Sequence, residues 1–118
     1  MPPIIISLAA AADLMIAAPA YAATGSMTLA DLLVKCYGEE SGPERNFCLG
    51  YLLGFWDALP TEDACVRPGT LISAGMLREM LLTGAGPLFP NQPAKDISAG
   101  VAAWTVMRHY FPCPRQAH

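Results

Sequence analysis

Four cysteines, at positions 36, 48, 65 and 113, are the residues best suited to chemistry in this chain of 118 residues. Cysteine serves as a disulfide, as a metal ligand or as a thiolate nucleophile. Zinc sites ordinarily bring two cysteines within about two to four residues of each other. No two cysteines lie that close here, and His109 and His118 supply no paired motif. No metal or other cofactor is expected. A catalytic thiol needs an activating base and an unpaired cysteine, and the even count argues against one. Cross-linking remains, with three possible connectivities.

The carboxylates come next. Glu39 and Glu40 adjoin, as do Glu62 and Asp63, and adjacent acids of this kind belong in solvated loops. Asp57 differs, because it is the sole charged side chain between Asn46 and Glu62 in an apolar run. A buried acid there needs a cation or several hydrogen bonds, so Asp57 reads as a structural carboxylate. His109 follows Arg108 and reads as a surface residue. No nucleophile–base pair, phosphate-binding loop or pair of glycosidase-like acids stands out, and no enzyme is expected.

Four helical segments position these residues. The first covers about 28–37: Thr28 caps it with Asp31 three residues on, and Leu29, Leu32, Leu33 and Cys36 share a face. Asp31 and Lys35 are spaced to pair on the other face, and Gly38 ends the helix. The second covers about 43–59, with Pro43 at its first position. After Asn46 it is apolar almost all round, which predicts a buried central helix. Gly50, Gly54 and Ala58 form a flat stripe on it. Each glycine costs about 1 kcal/mol of helix propensity, which a close helix–helix crossing would offset. Gly50, Tyr51, Gly54 and Asp57 are therefore read as packing residues.

The third segment covers about 70–83, after Pro68-Gly69. It has one stripe of Leu71, Ala74, Leu77 and Leu81 and a second of Ile72, Met76 and Met80. The surplus apolar face predicts a partner surface or a homodimer. The fourth covers about 94–111, with Ile97, Val101, Trp104, Met107 and Phe111 at helical spacing. No alternating run bounded by hairpin turns occurs. The expected fold is all-α, a small bundle of four helices. The short loop between the first two segments makes them antiparallel neighbours. That puts Cys36 near Cys48 and leaves Cys65 to pair with Cys113.

Residues 1–22 read as a separate object. An apolar run over 4–18 is followed by Pro19 and Ala20-Tyr21-Ala22, and small residues three and one before a break suit signal peptidase. The run contains Asp13 and is shorter than the roughly 20 residues a span needs. The expectation is a signal peptide over 1–22, cleaved after Ala22, and an exported mature helical domain over 23–118, with no membrane attachment. Seven Lys and Arg against ten Asp and Glu give a formal charge of −3. No basic stripe is present to hold nucleic acid through its phosphates.

Several stretches together resemble the Rap/Tai immunity proteins of Gram-negative bacteria. They are the leucine-rich helix ending in Cys36, the run Phe47-Cys48-Leu49-Gly50-Tyr51-Leu52-Leu53-Gly54-Phe55-Trp56-Asp57-Ala58, then Cys65-Val66-Arg67-Pro68, and the closing Tyr110-Phe111-Pro112-Cys113. The resemblance covers nearly all of 28–113. Arg67 stands where the family often has proline, and residues 84–93 replace its usual polar stretch. The family's members are small, helical, disulfide-containing periplasmic proteins that neutralise peptidoglycan amidase toxins delivered by type VI secretion. The resemblance implies the same role here: binding and occluding a cell-wall amidase effector. Exposed loop residues Glu39, Glu40, Glu44, Glu62, Asp63 and Arg67 are the candidate contacts. The competing expectation is a periplasmic helical binding protein, or an acid-stress chaperone-like protein, with no toxin partner.

Overall fold

The computed structural model describes residues 26–114. The expected signal peptide over 1–22, Asp13 within it and the C-terminal His118 lie outside the described residues. Four α-helices form: α1 Leu29–Cys36, α2 Pro43–Ala58, α3 Ala74–Gly84 and α4 Ala99–Tyr110, with a single 3-10 turn at Ala94–Asp96 before the last. The fold is all-α, and among the described residues the one piece of extended pairing is an isolated bridge between Thr28 and Ser98.

The start of α1 follows from its sequence. The Thr28 hydroxyl accepts from the Asp31 amide and the Asp31 carboxylate accepts from the Thr28 amide, each at 3.1 Å. That capping box satisfies two amides which the helix itself leaves unpaired. The amide donation from Thr28 is the main reason the Asp31 carboxyl lies below its ordinary value of 3.8. Lys35 does not join Asp31 as its spacing predicted. Its ammonium reaches across to Glu44 at 3.2 Å. In α2, Pro43 takes the first position as expected, and a left-handed Ser41 at φ 67° makes the preceding turn.

The core is one cluster. Leu29, Leu32 and Cys36 of α1 meet Cys48 and Leu52 of α2, Leu77 and Leu81 of α3, and Ala99, Ala102, Ala103, Val106 and Met107 of α4, with Ile97 beside them. The most deeply embedded helix is α4, not α2. Only Cys48 and Leu52 of α2 are buried, so the expected central helix is a flanking one. It lies against α1 and α3 with its opposite side to solvent.

Three other expectations are corrected. The third helix starts at Ala74, four residues later than the apolar spacing suggested. Gly69 turns the chain at φ 88°, and the Ser73 hydroxyl accepts from the Met76 amide at 3.1 Å, a local cap that outcompetes continuation upstream. Leu71, assigned to an inward stripe, is therefore 88 % exposed. The surplus face on this segment is also smaller than predicted, because Ile72 and Met80 pack against the core.

The fourth helix starts at Ala99. Ile97 and Ser98 are extended, held by Leu29 N–H donating to the Ile97 carbonyl at 2.7 Å and Ala99 N–H to the Met27 carbonyl at 2.9 Å. Its inward face is made of alanines. Val101 and Trp104, which share a helical spacing with Ile97, Met107 and Phe111, are 53 % and 37 % exposed. Small side chains let α4 come close to its neighbours, and close approach, more than side-chain bulk, decides which face is buried. Gly84 at the end of α3 belongs to the same crowding. A Cβ there would lie 3.3 Å from both Leu88 Cδ1 and Tyr110 Cε2.

Two outcomes check this packing. Ala102→Leu should destabilise the oxidised protein by about 1–3 kcal/mol in urea unfolding, because Ala102 has no room to grow; Val101→Leu, on the exposed face, should change stability little. In acid, the depressed Asp31 carboxyl contributes stability that is present above about 3.8 and is lost as pH falls through its lower folded value. Asp31→Asn should flatten that part of the acid unfolding curve by lowering its neutral-pH end, while leaving its most acidic end near wild type.

Candidate functional site

Both cross-links form as the helix order predicted. Cys36 is bonded to Cys48 with Cα atoms 5.0 Å apart, and Cys65 to Cys113 with Cα atoms 4.9 Å apart. No cysteine is left free, so the oxidised chain has no thiol for nucleophilic chemistry. Among the described residues no group of three or more His, Cys, Asp or Glu side chains is placed to hold a metal ion. His109 is exposed and meets the Tyr110 ring edge-on at 4.9 Å.

The first bond closes the turn between α1 and α2, where the Arg45 guanidinium donates from Nε to the Gly38 carbonyl at 2.9 Å. Around it Glu39, Glu40 and Glu44 are exposed. A shallow depression of about 480 Å³ next to them is lined by Glu40, Arg45, Asn46, Arg78 and Glu79. Arg78 is held on both sides, donating from Nε to the Cys36 carbonyl at 2.7 Å and from Nη1 to Glu79 Oε2 at 2.8 Å. This end of the molecule is polar and of mixed charge.

The second bond fixes the opposite end. It ties the loop after α2 to the segment after α4, and Cys65 N–H donates to the Phe111 carbonyl at 2.8 Å beside it. Trp56 of α2 packs on Phe111 with ring centroids 5.0 Å apart. On one side of this pair lies a cleft of about 460 Å³ bounded by Trp56, Asp57, Leu59, Pro60, Ala64 and Val66. On the other lies a depression of about 580 Å³ bounded by Val66, Arg67, Thr70, Tyr110 and Pro112. The two share Cys65 and Val66. Val66 is 39 % exposed at their common edge, with Asp57 and Arg67 to either side. The cleft is more apolar than polar and is backed by the disulfide, with the Asp57 carboxylate in its own lining and the Arg67 guanidinium in that of the adjoining depression. Such a surface can seat a protruding side chain of another protein and orient it by charge.

The sequence-derived contacts therefore separate into two groups. Glu39, Glu40 and Glu44 lie at the start of α2, and Glu62, Asp63 and Arg67 beyond its end. A helix of 16 residues spans about 24 Å at about 1.5 Å per residue, so one chain does not bring them together. Glu44 is engaged by Lys35. Asp63 is also engaged, since its Oδ2 accepts from Trp104 Nε1 at 3.3 Å. The Arg108 guanidinium stacks 4.5 Å over the Trp104 ring. This clamp holds the 59–67 loop to α4, and the sequence, in which Trp104 shows only helical spacing with its apolar neighbours, does not announce it.

Asp57 is a further correction. It is exposed rather than buried, because the face of α2 that carries it looks outward. Gly50 and Gly54 share that face, and a Cβ at either would meet nothing within 4 Å. The close crossing predicted at these glycines is absent within the described chain. Tyr51 is half-buried, packed between Phe47 and Phe55 with centroids 6.2 Å from each, and burial raises its phenol above the ordinary value of 10.0.

The fold and site define a class: a small all-α domain stapled at both ends, with an apolar cleft against one staple. No family model matches the sequence, and no curated protein or solved structure matches it either.

The second staple generates a prediction. Replacing Cys65 and Cys113 together by serine removes a cross-link of sequence separation 48, worth about 4 kcal/mol in the chain-entropy model. Hydrogen exchange should then accelerate over 59–67 first, while amides of α1 stay protected.

Proposed function

We propose that the chain is an exported inhibitor that acts by covering another protein: a periplasmic immunity protein that binds and occludes a type VI secreted peptidoglycan amidase. The observation that carries this reading is the largely apolar cleft at Val66, open to solvent and fixed by the Cys65–Cys113 bond, with Asp57 in its lining and Arg67 in that of the depression that shares Val66. Occlusion needs shape and complementary contacts, and no catalytic group in the occluding chain. Two disulfides persist in oxidising compartments and are rare in the cytosol, and no helix among the described residues is long and apolar enough to cross a membrane. Together with the leader-like residues 1–22 these features support export to the periplasm with cleavage after Ala22. The sequence resemblance supplies the class of target.

The test is direct. The oxidised protein should co-purify with a cell-wall amidase, if one is encoded beside it, and abolish that enzyme's hydrolysis of peptidoglycan. Arg67→Glu and Val66→Asp, both at exposed positions, should each weaken inhibition by about tenfold or more, as central interface positions do, with the helical circular dichroism spectrum unchanged. Absence of inhibition of any neighbouring cell-wall hydrolase would contradict the reading. Suppression of client aggregation at low pH without hydrolase binding would instead favour the chaperone-like alternative, for which the exposed Leu71 and Met76 would be the apolar contact points.

A further inference from the structure

The two disulfides differ in what surrounds them. Cys36 and Cys48 are fully buried in the core cluster. Cys65 is half-buried and borders both depressions around Val66, while its partner Cys113 is 4 % exposed. The second bond is therefore approached from solvent at Cys65. A carbonyl oxygen stands beside each of its sulfurs. That of Thr61 lies 3.7 Å from Cys65 Sγ, and that of Glu62 lies 3.5 Å from Cys113 Sγ. A thiol formed at either position has a hydrogen-bond acceptor already in place.

The loop held by this bond makes the cleft. Apart from Trp56 and Asp57, every residue bounding the cleft belongs to 59–66. The helices depend on the loop far less, since Leu59 is the one apolar side chain of 59–67 that packs against the core. The Cys36–Cys48 bond joins α1 to α2 within that core and does not involve the loop.

We propose that the Cys65–Cys113 bond is a redox switch: an external dithiol opens it at Cys65 while Cys36–Cys48 stays closed, and opening frees the 59–67 loop and dismantles the cleft without unfolding the helices. Exchange rates depend on which sulfur a thiolate can reach, and Cys65 is the accessible one. The first thiolate of the dithiol attacks Cys65 Sγ and forms a mixed disulfide. The Cys65–Cys113 bond breaks, and its electron pair leaves on Cys113 Sγ, which takes up a proton. The second thiolate then attacks its neighbour in the mixed disulfide. Cys65 leaves and is protonated in turn, and the external dithiol ends as a disulfide. Two electrons and two protons have passed to the protein. That opening also ends the binding of a target rests on the inhibitor reading above; the selective exchange rests on the placement of the sulfurs alone.

Timed treatment of the oxidised protein with reduced glutathione tests this with no hydrolase present. Samples are quenched with iodoacetamide and mapped by peptide mass spectrometry. Alkylated Cys113 and a glutathione mixed disulfide at Cys65 should form about tenfold faster or more than any modified Cys36 or Cys48. Urea below the unfolding transition should speed opening of Cys36–Cys48 steeply, because those sulfurs are reached only when the core opens. It should leave the rate at Cys65–Cys113 nearly unchanged. With dithiothreitol as the dithiol, amides of 59–67 should lose protection from exchange while the helical circular dichroism spectrum persists. Equal rates at the two bonds, glutathione on Cys113, a shared urea dependence, or loss of the helical spectrum as the second bond opens would each overturn the proposal. Selective opening in a protein that inhibits no hydrolase would remove the inhibitor reading and leave the switch standing.

Discussion

The bond between Cys65 and Cys113 is the constraint on which the surface of this molecule depends. It joins the loop after α2 to the end of α4, residues otherwise far apart in the chain, at a Cα separation of 4.9 Å. Without it the 59–67 loop would be held by the Trp104–Asp63 hydrogen bond, the Cys65–Phe111 backbone bond and the Trp56–Phe111 contact. Each of these is worth on the order of 1 kcal/mol, against about 1–2 kcal/mol of backbone entropy for every residue fixed. The covalent tie reduces the entropy that the loop has to lose on folding. It thereby fixes the walls of the cleft around Val66 before any partner arrives, and a preformed cleft loses less affinity to ordering on binding.

The Cys36–Cys48 bond acts on the other end in the same way but over a short separation, 12 residues. It sets α1 and α2 antiparallel and seats both sulfurs fully in the core. Between the two staples the core is modest, and much of α4's share of it is alanine. A domain of this size buries limited apolar area, so covalent ties of about 3 and about 4 kcal/mol are a large part of its stability. The same economy leaves the outward side of α2 uncovered.

Much of this architecture was legible in the residues. The helix count, the Thr28–Asp31 capping box, Pro43 at the first position of α2 and the cysteine pairing all follow from local chemistry or from the shortness of one loop. What could not be read was which side of each helix would be covered. Helix α2 is apolar on nearly every side, so its pattern carries no direction and does not show that it flanks the core. Its glycines were taken as an internal crossing for the same reason. In α4 the bulky residues Val101 and Trp104 drew the eye, yet Ala102 and Ala103 are the buried ones, because closeness of approach depends on the neighbouring helices. Asp57 followed the error in α2 outward. The candidate site was legible in part: Cys65, Glu62, Asp63 and Arg67 were marked. The cleft beside them arises from Trp56 and Phe111 meeting across 55 residues of sequence, a contact no local spacing announces.

The account requires oxidised cysteines in this one pairing. Peptide mapping of the processed protein, alkylated under native conditions and then digested without reductant, measures that directly. The predicted result is no alkylated cysteine, with linked peptides joining Cys36 to Cys48 and Cys65 to Cys113. Four alkylated thiols, or linked peptides of any other pairing, would contradict it.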